Sequence, residues 1–290
     1  MDKVAIVTDS IACITKEHAE RYNIVVVPVN ILFDGTLYKD WVDLSPDKAY
    51  EFLDRSPKAW KSSAASPEEY LTIYRELSRS AQNILTVTIS SKISMFYDSA
   101  LIAREAIKEE SPQTKIEILD SETVTAAEGF IALAAAQAAD KGKPLDAVTD
   151  IAKRVKERVQ FFALLETIKY VYRTGRIPRI ASQIGSTIPV KPILTASNGL
   201  IRFSSAARTR AKGIEKILHT MSNNIGNMAS VHVAVMHADN PEEAERVKER
   251  VAAEFNCAEL FITHFSPVMG YATGRGTLAL AYYKSLDYPQ

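Results

Sequence analysis

Along this chain, short runs of β-branched and aliphatic residues alternate with stretches whose apolar positions recur every three or four residues. "VAIVTDS" (4–10) predicts a buried strand, and "NIVVVPVNILF" (23–33) a second, with Pro28 marking an edge or a bulge. "ILTVTIS" from Ile84 and "IEILDS" from Ile116 predict two more. Between them lie helices with start signals. Ser66 is placed to cap one, with Pro67 in its first turn and Glu69 to close a capping box. Asn240, Pro241 and Glu243 repeat that grammar. The alanine-rich stretch 124–140 is apolar around much of its circumference and predicts a buried helix. After Pro144, Val148, Ile151, Val155 and Val159 mark one helical face.

The second half reads differently. "FFALLE" (161–166) opens it as a strand, and "KPILTASNGLIRFSSAA" is a hairpin turning at Asn198-Gly199. "SVHVAVMHA", "ELFITHF" and "TLALAYY" add strands around the helix that starts at Pro241. The expectation is an α/β protein of two α/β domains, 1–155 and 156–290. The first should have a mainly parallel sheet flanked by helices and the second a mixed sheet. No internal repeat or low-complexity segment interrupts this pattern.

Composition narrows the classes. At 290 residues and 47% hydrophobic, the chain can bury a sizeable core. Lys+Arg and Asp+Glu are both 35, which gives no net drive toward nucleic acid or an anionic membrane. Cys13 and Cys257 are the only cysteines, far apart in sequence, which fits a reducing compartment. The N-terminal apolar run is too short for a signal peptide, and no segment approaches a membrane span. A cytoplasmic protein without stable membrane insertion is expected.

Hydroxyl and acidic residues gather at predicted strand ends: Thr8-Asp9-Ser10; Ser90, Ser91 and Ser94; and Asp120-Ser121. Ser62 and Ser63 precede the capped helix. Taken singly these are ordinary caps and turn formers. Taken together, at the carboxyl ends of a parallel sheet, they could share a pocket for a carboxylate or phosphate. Catalytic signatures are absent: no glycine-rich nucleotide loop, no nucleophile elbow and no histidine spacing for a metal. No cofactor or metal is expected. Asp9 and His237 are the acid or base candidates of an enzyme on a small phosphorylated metabolite, and no mutual spacing supports them. "TGRGT" (273–277) reads as a tight turn, and the basic stretches at 172–176 and 206–212 as solvated faces or a dock for an acidic partner.

In order along nearly the whole chain, these segments resemble the DegV family, bacterial proteins that bind a fatty acid and carry it as a subunit for a fatty-acid kinase. "VAIVTDS" resembles the family's opening strand, "SSAASPEEY" its T-S-x-P-S stretch, and "ISSKIS" its I-S-S-x-L-S. "LDS", "KPIL" with "NG", "HADNPEEA" and "SPVMGYATGRGTLAL" resemble the remaining signatures. The resemblance implies a non-enzymatic carrier with a long-chain fatty acid between two α/β units. It implies that Ser62 and Ser94 meet the carboxylate, with Thr273 or Arg275 assisting, and that Ser94 also caps its helix. Ser63, Ser91, Met95, Phe96 and Ala272 would border the ligand, and Arg176 and Arg208 would face the kinase.

This sequence departs from the family pattern at several of these positions. The last signature usually reads G-x-H-T-G-P-G, so its histidine is Ala272 here and its proline is Arg275. Met95-Phe96-Tyr97 stands where the family continues Gly-Thr-Tyr, and Ala65 where it has proline. Two expectations stay open: Arg275 supplies the missing charge, or the ligand is another amphiphile or a small anion.

Overall fold

The computed structural model describes residues 3–56, 60–177, 190–226 and 229–286, which form three sheets. The strands are β1 (Val4–Asp9), β2 (Val25–Val27), β3 (Asn30–Phe33), β4 (Thr36–Lys39), β5 (Trp60–Ser63), β6 (Asn83–Thr88) and β7 (Lys115–Asp120). The second half adds β8 (Gln160–Leu164), β9 (Lys191–Ser197), β10 (Leu200–Ala207), β11 (Val231–His237), β12 (Cys257–His264) and β13 (Leu278–Lys284). An all-parallel sheet of order β2-β1-β6-β7 serves the first half. A mixed sheet of order β10-β9-β8-β13-β11-β12 serves the second, with only β11 and β12 parallel. The α/β class and the division into a parallel and a mixed sheet are as the sequence pattern predicts.

The third sheet corrects one expectation. Residues 23–33 do not form one bulged strand. The chain leaves the parallel sheet after Val27 and starts β3 at Asn30, in a small antiparallel sheet of order β4-β3-β5. Pro28 lies at the break, where a residue without an N–H ends a ladder. Ser62 and Ser63 therefore sit in β5, paired with Ile31 and Asn30, and not in a loop before the helix.

Both faces of the mixed sheet are buried, which explains its near-continuous apolar runs. Phe161 and Ala163 of β8 point inward to the main core, with Ala234 and Met236 of β11 and Ala279 and Ala281 of β13. The alternate residues Phe162, Leu164, Val233, Val235, Leu278 and Leu280 point outward. They are covered by Ile214, Ile217, Leu218 and Met221 of the Arg210–Ile225 helix and by Ala244, Val247 and Val251 of the Pro241–Glu254 helix. The alanine-rich helix runs Ala126–Asp140 and packs on β1, β6 and β13, so apolar sheets meet it on more than one side. Small side chains all round let it fit there.

The caps divide. Ser66 accepts from Glu69 N while the Glu69 carboxylate accepts from Ser66 N, the predicted capping box. At Asn240 no such box forms. Its amide donates to the Glu243 carboxylate at 2.9 Å, and Arg210 also ion-pairs with Glu243. Among the described residues no helix is long and apolar enough to cross a membrane. Nor does any group of three or more His, Cys, Asp or Glu side chains stand ready for a metal.

Candidate ligand cavity

In the parallel sheet the chain order reverses between β1 and β6, and a crevice opens beyond their carboxyl ends. Ile11, Ile89, Ile93 and Ser94 leave those strand ends and line a cavity of about 580 Å³. The opposite wall comes from the inward face of the mixed sheet: Phe161 and Ala163 of β8, Leu194 of β9 and Ile201 of β10. Ser62 and Ser63 of β5 form a third side, and Val268, Met269, Ala272 and Thr273 of the Pro267–Thr273 helix a fourth. The volume suits a small amphiphile, and the walls are mostly apolar. The charged side chains on the described lining are Lys61, Arg173 and Arg176, with no carboxylate among them. A chain of zero net charge thus encloses a cationic, apolar cavity.

The serine cluster after β6 has three different employments. Ser90 is buried, and its hydroxyl donates to Gly199 O at 2.7 Å. Lys92 Nζ reaches Asn198 O at 2.9 Å, so this turn grips the tip of the β9–β10 hairpin. That tip needs its glycine: Gly199 has φ +75°, and a Cβ there would lie 2.8 Å from Ser90 Oγ. Ser91 donates to Asp120 at 2.5 Å and does not line the cavity. Ser94 does line it, and among the described residues its hydroxyl has no hydrogen-bond partner. It is not a helix cap. The helix runs Phe96–Ile107 from Met95, with no side-chain cap. The hydroxyl is left for the cavity.

The other expected positions separate as follows. Phe96 and Ala272 line the cavity, whereas Met95 is 61% exposed and faces away. Thr273 lines it too, but its hydroxyl donates to Met269 O at 2.8 Å, which leaves only acceptor capacity for a ligand. Arg275 lies outside. It ion-pairs with Asp54 and Asp239 and packs over the Tyr50 ring, so it is not the charge that replaces a histidine at 272. Arg176 stands exposed at the cavity's edge, its guanidinium on Thr174 O. Arg208 lies in a separate exposed groove with Lys212 and Lys216.

Sequence reasoning missed Arg173. It lines the cavity with its guanidinium carbon 4.8 Å from the centre of the Tyr271 ring and 5.1 Å from that of Tyr170. Its Nε and Nη2 are buried without a hydrogen-bond partner among the described residues. One arginine in "YVYRTGRI" carries no pattern that separates it from a solvated neighbour.

The acid and base candidates are structural. Asp9 is buried and accepts from Ile11 N at 3.0 Å and Ile89 N at 2.9 Å, holding the β1 and β6 ends together. Burial raises its carboxyl to about 6, and holds that of its neighbour Glu128 well above the usual carboxylate range. His237 is buried, accepts from Asn240 N and packs on His264, and burial lowers it to about 4. Neither lines the cavity.

Asp40 positions the helix that forms the fourth side. One carboxylate oxygen accepts from Ser10 Oγ at 2.6 Å and the other from Val268 N at 2.9 Å. Ser10 in turn accepts from Val29 N. Gly270 lets this helix lie close to Tyr50, since a Cβ there would meet the phenol oxygen at 2.6 Å. Burial raises the Asp40 carboxyl from 3.8 to about 7, against the opposing hydrogen bonds of Ser10 and Val268. The raised value means that Asp40's contribution is full below 3.8 and is lost as pH climbs through about 7. Asn has no such titration. Between pH 4 and pH 8 the stability of Asp40→Asn should therefore gain on the wild type by roughly 3–4 kcal/mol. Urea denaturation of both proteins at each pH checks this, and parallel pH curves would remove Asp40 as the titrating group.

A profile of the DegV family, described as uncharacterised protein, matches residues 3–285. A DegV domain-containing protein of Caldanaerobacter subterraneus subsp. tengcongensis is 32% identical over 254 residues, 88% of this chain and 89% of that one. Protein DegV of Bacillus subtilis is 29% identical over 281 residues, 96% of this chain and 98% of that one. Among solved structures, DegV of Bacillus subtilis, described as a fatty acid binding protein, superposes with a TM-score of 0.87 at 27% identity, covering 98% of this chain and 100% of that one. A DegV family protein from Thermus thermophilus, described with fatty acid binding, gives a TM-score of 0.90 at 23% identity over the same shares and speaks for the fold. With a match spanning both sheets and every wall of the cavity, this chain belongs to the DegV family.

Proposed function

We propose that this protein is a carrier that holds one long-chain fatty acid in the cavity and presents its carboxyl group to a fatty-acid kinase. The cavity carries the reading: apolar walls, the hydroxyls of Ser62, Ser63 and Ser94, and cationic side chains without a carboxylate on the described lining. Burying about 14 methylenes at about 0.8 kcal/mol each is worth roughly 11 kcal/mol before ordering costs. Hydrogen bonds to an ionised head add ~1.5–3 kcal/mol each and chiefly set its orientation. Ser62 and Ser94 are the proposed carboxylate donors. The fatty acid binding described for the Bacillus subtilis relative supports the same ligand.

The carrier has no chemistry of its own in this reading. The kinase makes the acyl phosphate, and the exposed Arg176 and Arg208 are the contacts offered to it. Residues 1–155 supply the head-group hydroxyls and 156–290 much of the acyl pocket, in a cytoplasmic protein.

Titration with hexadecanoate, by competition against a fluorescent fatty-acid analogue, tests the reading. Ser94→Ala should weaken binding by about 10–100-fold, the loss of one hydrogen bond to a charged group, with an unchanged melting temperature. Equal affinity in the variant would take Ser94 out of the site. No binding to the wild type would remove the fatty-acid reading itself.

A further inference from the structure

Three buried N–H donors have no hydrogen-bond partner among the described residues and belong to two side chains that pack on one ring: Arg173 Nε, Arg173 Nη2 and Trp60 Nε1. Both residues line the cavity and both pack on Tyr271. The Trp60 ring stacks on it at 4.2 Å and 9°, and the guanidinium lies 4.8 Å from its centre. Aromatic contact holds a cation in place, but it leaves the N–H donors in the guanidinium plane unused. Donors kept dry and unpaired are unfavourable in a folded protein, and their place on side chains that line a cavity calls for a ligand acceptor. A planar guanidinium offers two parallel N–H bonds, which match the two oxygens of a carboxylate. Lys61 and Arg176, the other cations of the lining, are both exposed, so water already solvates their charge.

We infer that Arg173 is the charge-bearing contact for the ionised head of the bound amphiphile and selects acids over neutral lipids. This rests on the lipid-carrier reading and adds a residue to it. Ser62 and Ser94 orient the head, whereas Arg173 discriminates by charge. Arg173 already lines the cavity, so a turn about its terminal torsions directs the fork at the ligand.

The test compares hexadecanoate with hexadecan-1-ol, which keeps the tail and a hydroxyl and lacks the charge. Wild type should prefer the acid by about 10–100-fold, the factor for a charge-assisted pair. Arg173→Gln should lose that factor for the acid and stay within about threefold for the alcohol. Acid affinity unchanged in the variant overturns the inference while the lipid reading stands. Equal weakening for both ligands also overturns it, because it marks a purely structural arginine. Wild type binding neither ligand sinks the lipid reading and this inference together. Should the glutamine variant fail to fold, Arg173→Lys keeps the charge without the fork. Its acid-to-alcohol preference should fall by about threefold or more, and an unchanged preference contradicts the two-oxygen contact.

Discussion

Asp40→Ala should lower the folding free energy by about 3 kcal/mol, because it strips acceptors from two buried donors at once. Ser10 Oγ and Val268 N both end on this carboxylate, and neither site is open to water. Each orphaned donor costs about 1–3 kcal/mol, offset in part by removing a carboxyl group that burial already disfavours. The loss also releases the Pro267–Thr273 helix from the β4 end of the small sheet, and with it Met269, Ala272 and Thr273 on the cavity wall. Urea denaturation near pH 6 measures the effect. A change under about 1 kcal/mol would mean that Ser10 and Val268 find other acceptors, and that Asp40 does not tie this helix down.

Ala163→Phe should abolish most ligand binding and leave the fold standing. Ala163 sits mid-strand in β8 with its side chain on the cavity, between Phe161 and Leu165 on the same face. A phenyl ring there projects into existing empty space, so little repacking is required. It displaces tail, not head. If it excludes about five methylenes at about 0.8 kcal/mol each, affinity falls by roughly 4 kcal/mol, close to a thousandfold. Competition titration with hexadecanoate, beside a melting curve, reads both parts. Near-normal affinity with a normal melt would place the acyl chain elsewhere.

How much of this lay in the sequence depends on the range over which each feature is decided. The capping box at Ser66 and the Asn198-Gly199 turn are settled within a few residues, and both form as read. Asn198 and Gly199 take φ of 51° and 75°, the left-handed pair that a two-residue hairpin requires. The run 23–33 has strand character throughout, and only the pairing partners split it between two sheets. Asn240 has the right neighbours for a capping box, but the distant Arg210 also binds its glutamate.

The site shows the same limit. Ser62, Ser94 and Ala272 were placed by resemblance and do line one cavity. Arg275 was the obvious charge to invoke, beside an altered signature, and two aspartates 36 and 221 positions away hold it elsewhere. Arg173 had no local mark at all. What distinguishes it is that its buried Nε and Nη2 have no hydrogen-bond partner among the described residues, and that property belongs to the packed chain.

The central claim is tested most directly by mass spectrometry of an organic extract from the natively purified protein, beside a control protein prepared identically. A long-chain fatty acid near one per chain, absent from the control and depleted in Ala163→Phe, is the predicted result. An extract no richer than the control, from protein that melts cooperatively and does not take up added hexadecanoate, would contradict the carrier account.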